Sequence, residues 1–165
     1  METRQGSRGV TLIELCFGLG IVAILAGLAA PGMRGALRTA AIRSTTLDLL
    51  GGLQQARTRS IIESRPGVFC LSTATGECID GPARAWTAFL DGRGAASTLA
   101  GGALPRGIEL RATRARLTFW PDSLAASTGT LTICDTWGEA RPRAIVLSQS
   151  GRVRVADASP EACRA

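Results

Sequence analysis

The run from Val10 to Met33 carries a single charge, Glu14. It is long enough to cross a bilayer as a helix, which takes about 20 apolar residues. This commits the N-terminal part of the chain to lipid or to a bundle of apolar helices. A lone carboxylate at that depth costs a few kcal/mol on insertion scales, so such groups are normally paired and functional. Ahead of the run stands a polar leader, residues 1–9, with Arg4 and Arg8. A cleaved secretory signal with small residues near Ala26 to Ala30 is one reading, but Glu14 interrupts its apolar core. A lipoprotein signal fails because Glu14-Leu15-Cys16 lacks small residues before the cysteine. A plain signal anchor, its arginines held cytoplasmic, is another reading. Neither explains Glu14.

The chain has 165 residues, enough for a membrane helix and one further domain. It contains no histidine and no lysine. A His-based triad, a His zinc site, P-loop chemistry and Schiff-base chemistry are therefore excluded. Paired carboxylates at useful spacing are also missing, so the chain reads as non-enzymatic, with no cofactor and no metal. All 19 basic residues are arginine and the net charge is +6, which favours anionic partners such as nucleic acid or a membrane surface. Cys16 lies in the apolar run and reads as a free thiol. Cys70, Cys78, Cys134 and Cys163 form an even set that allows three pairings. Cys70–Cys78 would close a short loop and Cys134–Cys163 would tie down the C-terminal tail, so these pairs are favoured, in an oxidising compartment.

Beyond Met33 the pattern becomes amphipathic. Leu37, Ala40, Ala41, Ser44, Leu47, Leu50, Leu53, Gln54 and Ile61 recur near one face at helical spacing. Arg65-Pro66-Gly67 stops the helix. A helix from Val10 to about Ser64 would be roughly 80 Å long, kinked at Pro31-Gly32 and softened at Gly51-Gly52. After Pro66 the pattern turns to strands: Val68 to Leu71, Cys78-Ile79, Trp86 to Leu90, Ile108 to Leu110, Leu117 to Phe119, Leu131 to Ile133, Ala144 to Leu147 and Val153 to Val155. Residues 92–107 and 121–129 read as loops. About seven short strands after one long helix imply an α+β fold, the helix packing on an antiparallel β head. The organisation expected is a leader over 1–9, an apolar helix over 10–33, its amphipathic half over 34–65 and a β-rich head over 66–165.

Gly9-Val10-Thr11-Leu12-Ile13-Glu14-Leu15 resembles the processing site of type IV prepilins. Leu49-Leu50-Gly51-Gly52-Leu53-Gln54-Gln55-Ala56-Arg57-Thr58-Arg59-Ser60-Ile61 resembles the helix end of the GspH-like and FimT-like minor pilins. Trp86-Thr87-Ala88-Phe89-Leu90-Asp91, Thr130-Leu131-Thr132-Ile133-Cys134-Asp135, and Ile145-Val146-Leu147-Ser148 followed by Gly151-Arg152-Val153-Arg154 extend the resemblance. The Gly-Arg-x-Arg ending is more similar to the FimT-like branch than to the secretion branch. The resemblance implies cleavage by prepilin peptidase between Gly9 and Val10, N-methylation at Val10, and an assembly role for Glu14. The chain would be held in the inner membrane by a single pass, with its head in the periplasm, and would then join other pilins in a pilus. Val10 departs from the phenylalanine usual at that position. The FimT-like branch further implies double-stranded DNA as a partner, bound without sequence preference for uptake in natural transformation. A GspH-like pseudopilin of type II secretion and a purely structural or priming minor pilin are the alternatives.

Glu14 has a physical role in that frame: paired with the free α-amine at Val10 of a neighbouring subunit, it would set axial register and cancel two charges in a low-dielectric core. Arg152 and Arg154 are two apart and so share one face of a strand. If the strand at 144–147 pairs with that at 151–155, Arg141 and Arg143 would join them in one basic patch near the hairpin, suited to phosphate. The plain alternative is a solvated strand face. Arg111, Arg114 and Arg116 form a second basic cluster. Trp120 and Trp137 read as buried or interface residues rather than base-stacking platforms, and Asp80, Asp91, Asp122 and Asp135 as turn formers.

Overall fold

The computed structural model describes residues 11–92, 96–122 and 125–164. Gly9 and Val10, and with them the proposed cleavage and methylation site, lie outside the described residues. The chain divides into two compact units, Met1–Gly35 and Ala36–Ala165.

In the first unit helix α1, which spans Leu12–Glu63, begins. The Glu14 amide donates to Thr11 Oγ1 at 3.3 Å, so Thr11 caps the helix and Glu14 stands three residues on, in its first turn. Thr-x-x-Glu is the spacing of a capping box, and a carboxylate there also meets the positive end of the helix dipole. Side chains from Leu12 to Leu28 are exposed within the unit, the free Cys16 among them. The kink expected at Pro31-Gly32 rests on residues 29–31, whose side chains lie outside the described residues. Among the described residues no single helix is long and apolar enough to cross a membrane; Leu12–Leu28 and Gly32–Glu63 qualify together as a bent pair, by length and composition.

In the second unit the rest of α1 packs on two antiparallel sheets. Strands are β1 (Gly67–Ser72), β2 (Ala85–Leu90), β3 (Ser97–Ala103), β4 (Ile108–Ala112), β5 (Arg116–Phe119), β6 (Gly129–Asp135), β7 (Arg143–Leu147) and β8 (Val153–Asp157), followed by a 3-10 helix, Pro160–Cys163. One sheet has the order β3-β2-β1-β5 and the other β4-β6-β7-β8. The core joins Ile42, Leu49, Leu53 and Ala56 of α1 to Phe69, Trp86 and Leu117 of the first sheet and Leu110, Ile133 and Ile145 of the second. The fully buried hydrophobic residues all lie between Ile42 and Leu147. Ala36–Ala165 therefore carries a complete core of its own.

The buried stripe of α1 differs from the expected one. It runs through Ile42, Thr45, Thr46, Leu49, Leu53, Ala56 and Ser60, whereas Leu37, Leu47 and Ile61 are 64%, 68% and 46% exposed. Leu53 is buried as expected, with Ile42 and Leu49 beside it, but the sheets also approach the helix closely at small residues. A Cβ on Gly52 would stand 2.3 Å from the Trp86 ring, and one on Gly67 would stand 2.2 Å from the Ala56 carbonyl oxygen. Gly52 thus admits Trp86, which stacks on Phe69 at 5.3 Å, rather than softening the helix. Among the described residues the head has eight strands, in line with the seven or so expected, although Cys78-Ile79 makes only an isolated bridge, Cys78 to Ser72. The segment expected to be a flexible loop contains β3, an edge strand whose Gly101 and Gly102 lie against Trp86.

Both disulfides favoured from the sequence are present, Cys70–Cys78 and Cys134–Cys163, the second holding the 3-10 helix to β6. The helix ends at Ser64, which takes the left-handed conformation at φ 49°, while the Arg65 amide donates to the Ser60 carbonyl at 3.1 Å. This is a Schellman end with serine where glycine is usual. Left-handed backbone costs a residue with a Cβ about 1–2 kcal/mol, offset partly by the greater unfolded-state freedom of glycine. Ser64→Gly should therefore stabilise the head by about 0.5–1 kcal/mol in denaturant unfolding.

Candidate nucleic-acid interface

The β7–β8 hairpin positions Arg152 and Arg154. Its turn closes with the Gly151 amide donating to the Ser148 carbonyl at 2.9 Å and the Ser148 amide to the Arg152 carbonyl at 3.0 Å. The Arg152 amide in turn donates to Ser148 Oγ at 3.2 Å. Gly151 is left-handed at φ 70°, a conformation natural to glycine. Two outside groups hold the turn: Arg57 of α1 donates to the Gly151 carbonyl at 2.9 Å, and the Ala126 amide donates to the Gln149 carbonyl at 2.8 Å. The Gly-Arg-x-Arg segment is thereby fixed to the helix and to the β5–β6 connection.

Register decides which arginines share a face. Val153 pairs with Leu147, Val155 with Ile145 and Asp157 with Arg143, while Arg154 pairs with Val146 and Ala156 with Ala144. Leu147 and Ile145 face the core, so Arg154 and Arg152 lie on the opposite, outer face of the sheet. Both are exposed. Val155, on the core-facing side of β8, is still 37% exposed because β8 is an edge strand. Beside Arg154, an open groove of about 660 Å³ runs over the outer face, lined by Thr113, Arg114, Thr128, Thr130, Val146 and Ser148, among others. Arg114, assigned from the sequence to a separate cluster, lines this groove from the β4–β5 connection, whereas Arg152 and Arg154 do not line it. Among the described residues none of the three has an ion-pair partner.

The other predicted arginines lie elsewhere. Arg143 occupies the open end of the hairpin on the core-facing side, 3.9 Å from Asp157. With Arg141 and Arg43 it lines a cleft against Thr39 and Ile42 of α1. The hairpin turn meets α1 at Arg57, so the two groups sit at levels of the helix about 21 Å apart. The single patch of four arginines expected near the hairpin is thus two patches, because β7 runs the length of the head between them. Arg111 is held by Glu109 at 3.1 Å, and Arg116 lies in the other sheet, opposite Cys70. Trp120 and Trp137 are 44% and 60% exposed, which removes both from the core.

The family described as type II transport protein GspH matches residues 45–151. Among solved structures, the fold resembles the type IV minor pilin FimU of Pseudomonas aeruginosa, at 20% identity and a TM-score of 0.50, covering 75% of this chain and 90% of that one. It also resembles the minor pseudopilin EpsH of the Vibrio cholerae type 2 secretion system, at 12% identity and a TM-score of 0.55, covering 70% of this chain and 95% of that one. Comparison with curated proteins finds no match. The matched segment spans the core half of α1 and the strands through the Gly151 turn, and on it the chain belongs to the GspH family, with the pilin-like α+β fold of minor pilins and pseudopilins.

Proposed function

We propose that the chain is a minor type IV pilin of the FimT-like branch that binds double-stranded DNA without sequence preference, for uptake. It is made as a prepilin, cleaved after Gly9, methylated at Val10, and held in the inner membrane by the Val10 to Met33 run with its head in the periplasm until it joins other pilins. Family membership supports the assembly part of this reading. The DNA part rests on one observation: a hairpin tied to α1 presents Arg152 and Arg154, with Arg114 across a threonine-lined groove, as exposed guanidinium groups without ion-pair partners among the described residues. Guanidinium forks suit phosphate oxygens, and hydroxyl and backbone groups add contacts that carry no sequence information. Duplexes of unrelated sequence should compete equally for the isolated head, Ala36–Ala165, in a gel shift. Strong preference for one sequence, or no binding at low salt, overturns the reading. The second outcome would leave the structural or priming minor pilin and the pseudopilin as the readings, both compatible with the family match.

Glu14 is proposed to pair with the α-amine of a neighbouring subunit after cleavage. Its place in the first turn of α1 gives it a second role, in the helix start. Glu14→Gln keeps a side chain able to complete the capping box but removes the charge. It should leave membrane insertion intact and reduce recovery in sheared pili; recovery equal to wild type contradicts the pairing.

A further inference from the structure

The end of the head opposite the hairpin turn is built as a second basic surface, around an exposed tryptophan. Asp135 shapes the β6–β7 connection: its carboxylate accepts from the amides of Trp137 at 3.2 Å, Glu139 at 2.9 Å and Ala140 at 3.0 Å. The Thr136 amide donates to the Gly107 carbonyl at 2.8 Å. Trp137 is therefore held firmly while its ring remains 60% exposed. The Arg38 guanidinium lies 3.1 Å from the ring centroid and donates to the Arg106 carbonyl. Arg84 and Arg106 line a groove with Trp137. Beside it opens a cleft of about 730 Å³ bearing Arg43, Arg141 and Arg143, with Glu139 and Asp157 as its acids.

We propose that this end of the head is a phospholipid-headgroup surface. The inference rests on the reading that the Val10 to Met33 run enters the membrane. Arg38 lies five residues beyond Met33, a tether of at most about 18 Å even when fully extended. The chain itself therefore keeps Arg38, and the Trp137 ring stacked on it, close to the headgroup layer, which is roughly 5–8 Å thick. Tryptophan is favoured at that depth, where its apolar body and N–H are both accommodated. Arginines near an anionic leaflet gain from its surface potential and grip phosphate bidentately. The two basic ends then have separate anionic ligands: lipid phosphate at the Arg38 level and DNA phosphate at the Arg57 level.

The test uses the full chain in vesicles of equal phosphatidylcholine and phosphatidylglycerol, brominated near the headgroup. Trp86 is buried, and Trp120 follows Phe119, which pairs with Gly67 at the far end of the head. Quenching of tryptophan fluorescence should therefore fall to background in Trp137→Phe; equal quenching in wild type and variant overturns the inference. A full chain that fails to float with the vesicles overturns the anchor reading and this inference with it, whereas flotation without Trp137 quenching overturns this inference alone. As a second readout that leaves Trp137 in place, partition of Ala36–Ala165 onto the same vesicles should weaken by about fivefold for each of Arg84→Gln and Arg106→Gln. It should not change in Arg152→Gln with Arg154→Gln. Loss of duplex binding rather than vesicle binding in the Arg84 and Arg106 variants would assign this end to nucleic acid and overturn the proposal.

Discussion

Replacing Gly67 by alanine is expected to destabilise the head by about 3 kcal/mol or more, at the upper end of overpacking effects. The added Cβ would stand 2.2 Å from the Ala56 carbonyl oxygen and 3.1 Å from Ser60 Cβ. Neither backbone can yield alone: β1 is buried along its whole length between β2 and β5, and Ala56 is fully buried on α1. The helix and the first sheet would have to part, opening the core that surrounds Leu53 and Phe69. Because the clash is with a main-chain oxygen, Ala56→Gly should not rescue the variant. The neighbouring pair Gly51 and Gly52 supplies a sign control. An added Cβ at Gly51 meets nothing within 4 Å, whereas at Gly52 it meets the Trp86 ring. Gly51→Ala should stabilise by about 0.5–1 kcal/mol through helix propensity, and Gly52→Ala should destabilise by about 1–3 kcal/mol. Denaturant midpoints of the three variants check both signs.

These glycines also mark where sequence periodicity misleads. The α+β architecture is legible because a long helical pattern followed by short alternating runs leaves few alternatives; Cys70–Cys78 joins two runs that read as strands, and Cys134–Cys163 ties the tail to a third. The face of α1 is legible only in part: Leu53 is buried as expected, and Ala41 and Leu50 pack against the core. Periodicity weights leucine, yet the close approach is made by Gly52, Ala56 and Ser60, and Leu47 is left outside. β3 escapes for the same reason: Ser97–Ala103 holds two glycines and two alanines, which read as loop but let an edge strand lie against Trp86. At the candidate site, the common face of Arg152 and Arg154 follows from their spacing alone. Nothing local in the sequence could place Arg114 at a groove on the same sheet or put Arg143 at the other end of β7; both follow from sheet order. The capping role of Thr11 is written in the chain as Thr-x-x-Glu, but the same glutamate is also the one charge of the apolar run, for which an assembly role is proposed.

The second large effect is expected at the hairpin. Arg152→Gln with Arg154→Gln should weaken duplex binding by the isolated head about tenfold to a hundredfold at low salt, at roughly 1 kcal/mol or more for each charged hydrogen bond to phosphate. The loss should be uniform across duplex sequences, because phosphate contacts carry no base information. Folding should be unaffected, since both side chains are exposed and the turn is held by the backbone of Gly151 and by Arg57. Arg114→Gln should act in the same direction with a smaller effect, as its side chain borders the groove from the β4–β5 connection.

The arginines of this head form two surfaces, and duplex DNA is proposed to be held at the one built on Gly151. The salt dependence of duplex affinity measures it most directly. Removing one guanidinium that neutralises a phosphate should flatten the slope of log affinity against log salt by about 0.9. For Ala36–Ala165, the slope should be shallower by about 1.8 in Arg152→Gln with Arg154→Gln, and equal to wild type in Arg141→Gln with Arg143→Gln. An unchanged slope in the first pair, or an equal flattening in the second, would contradict it.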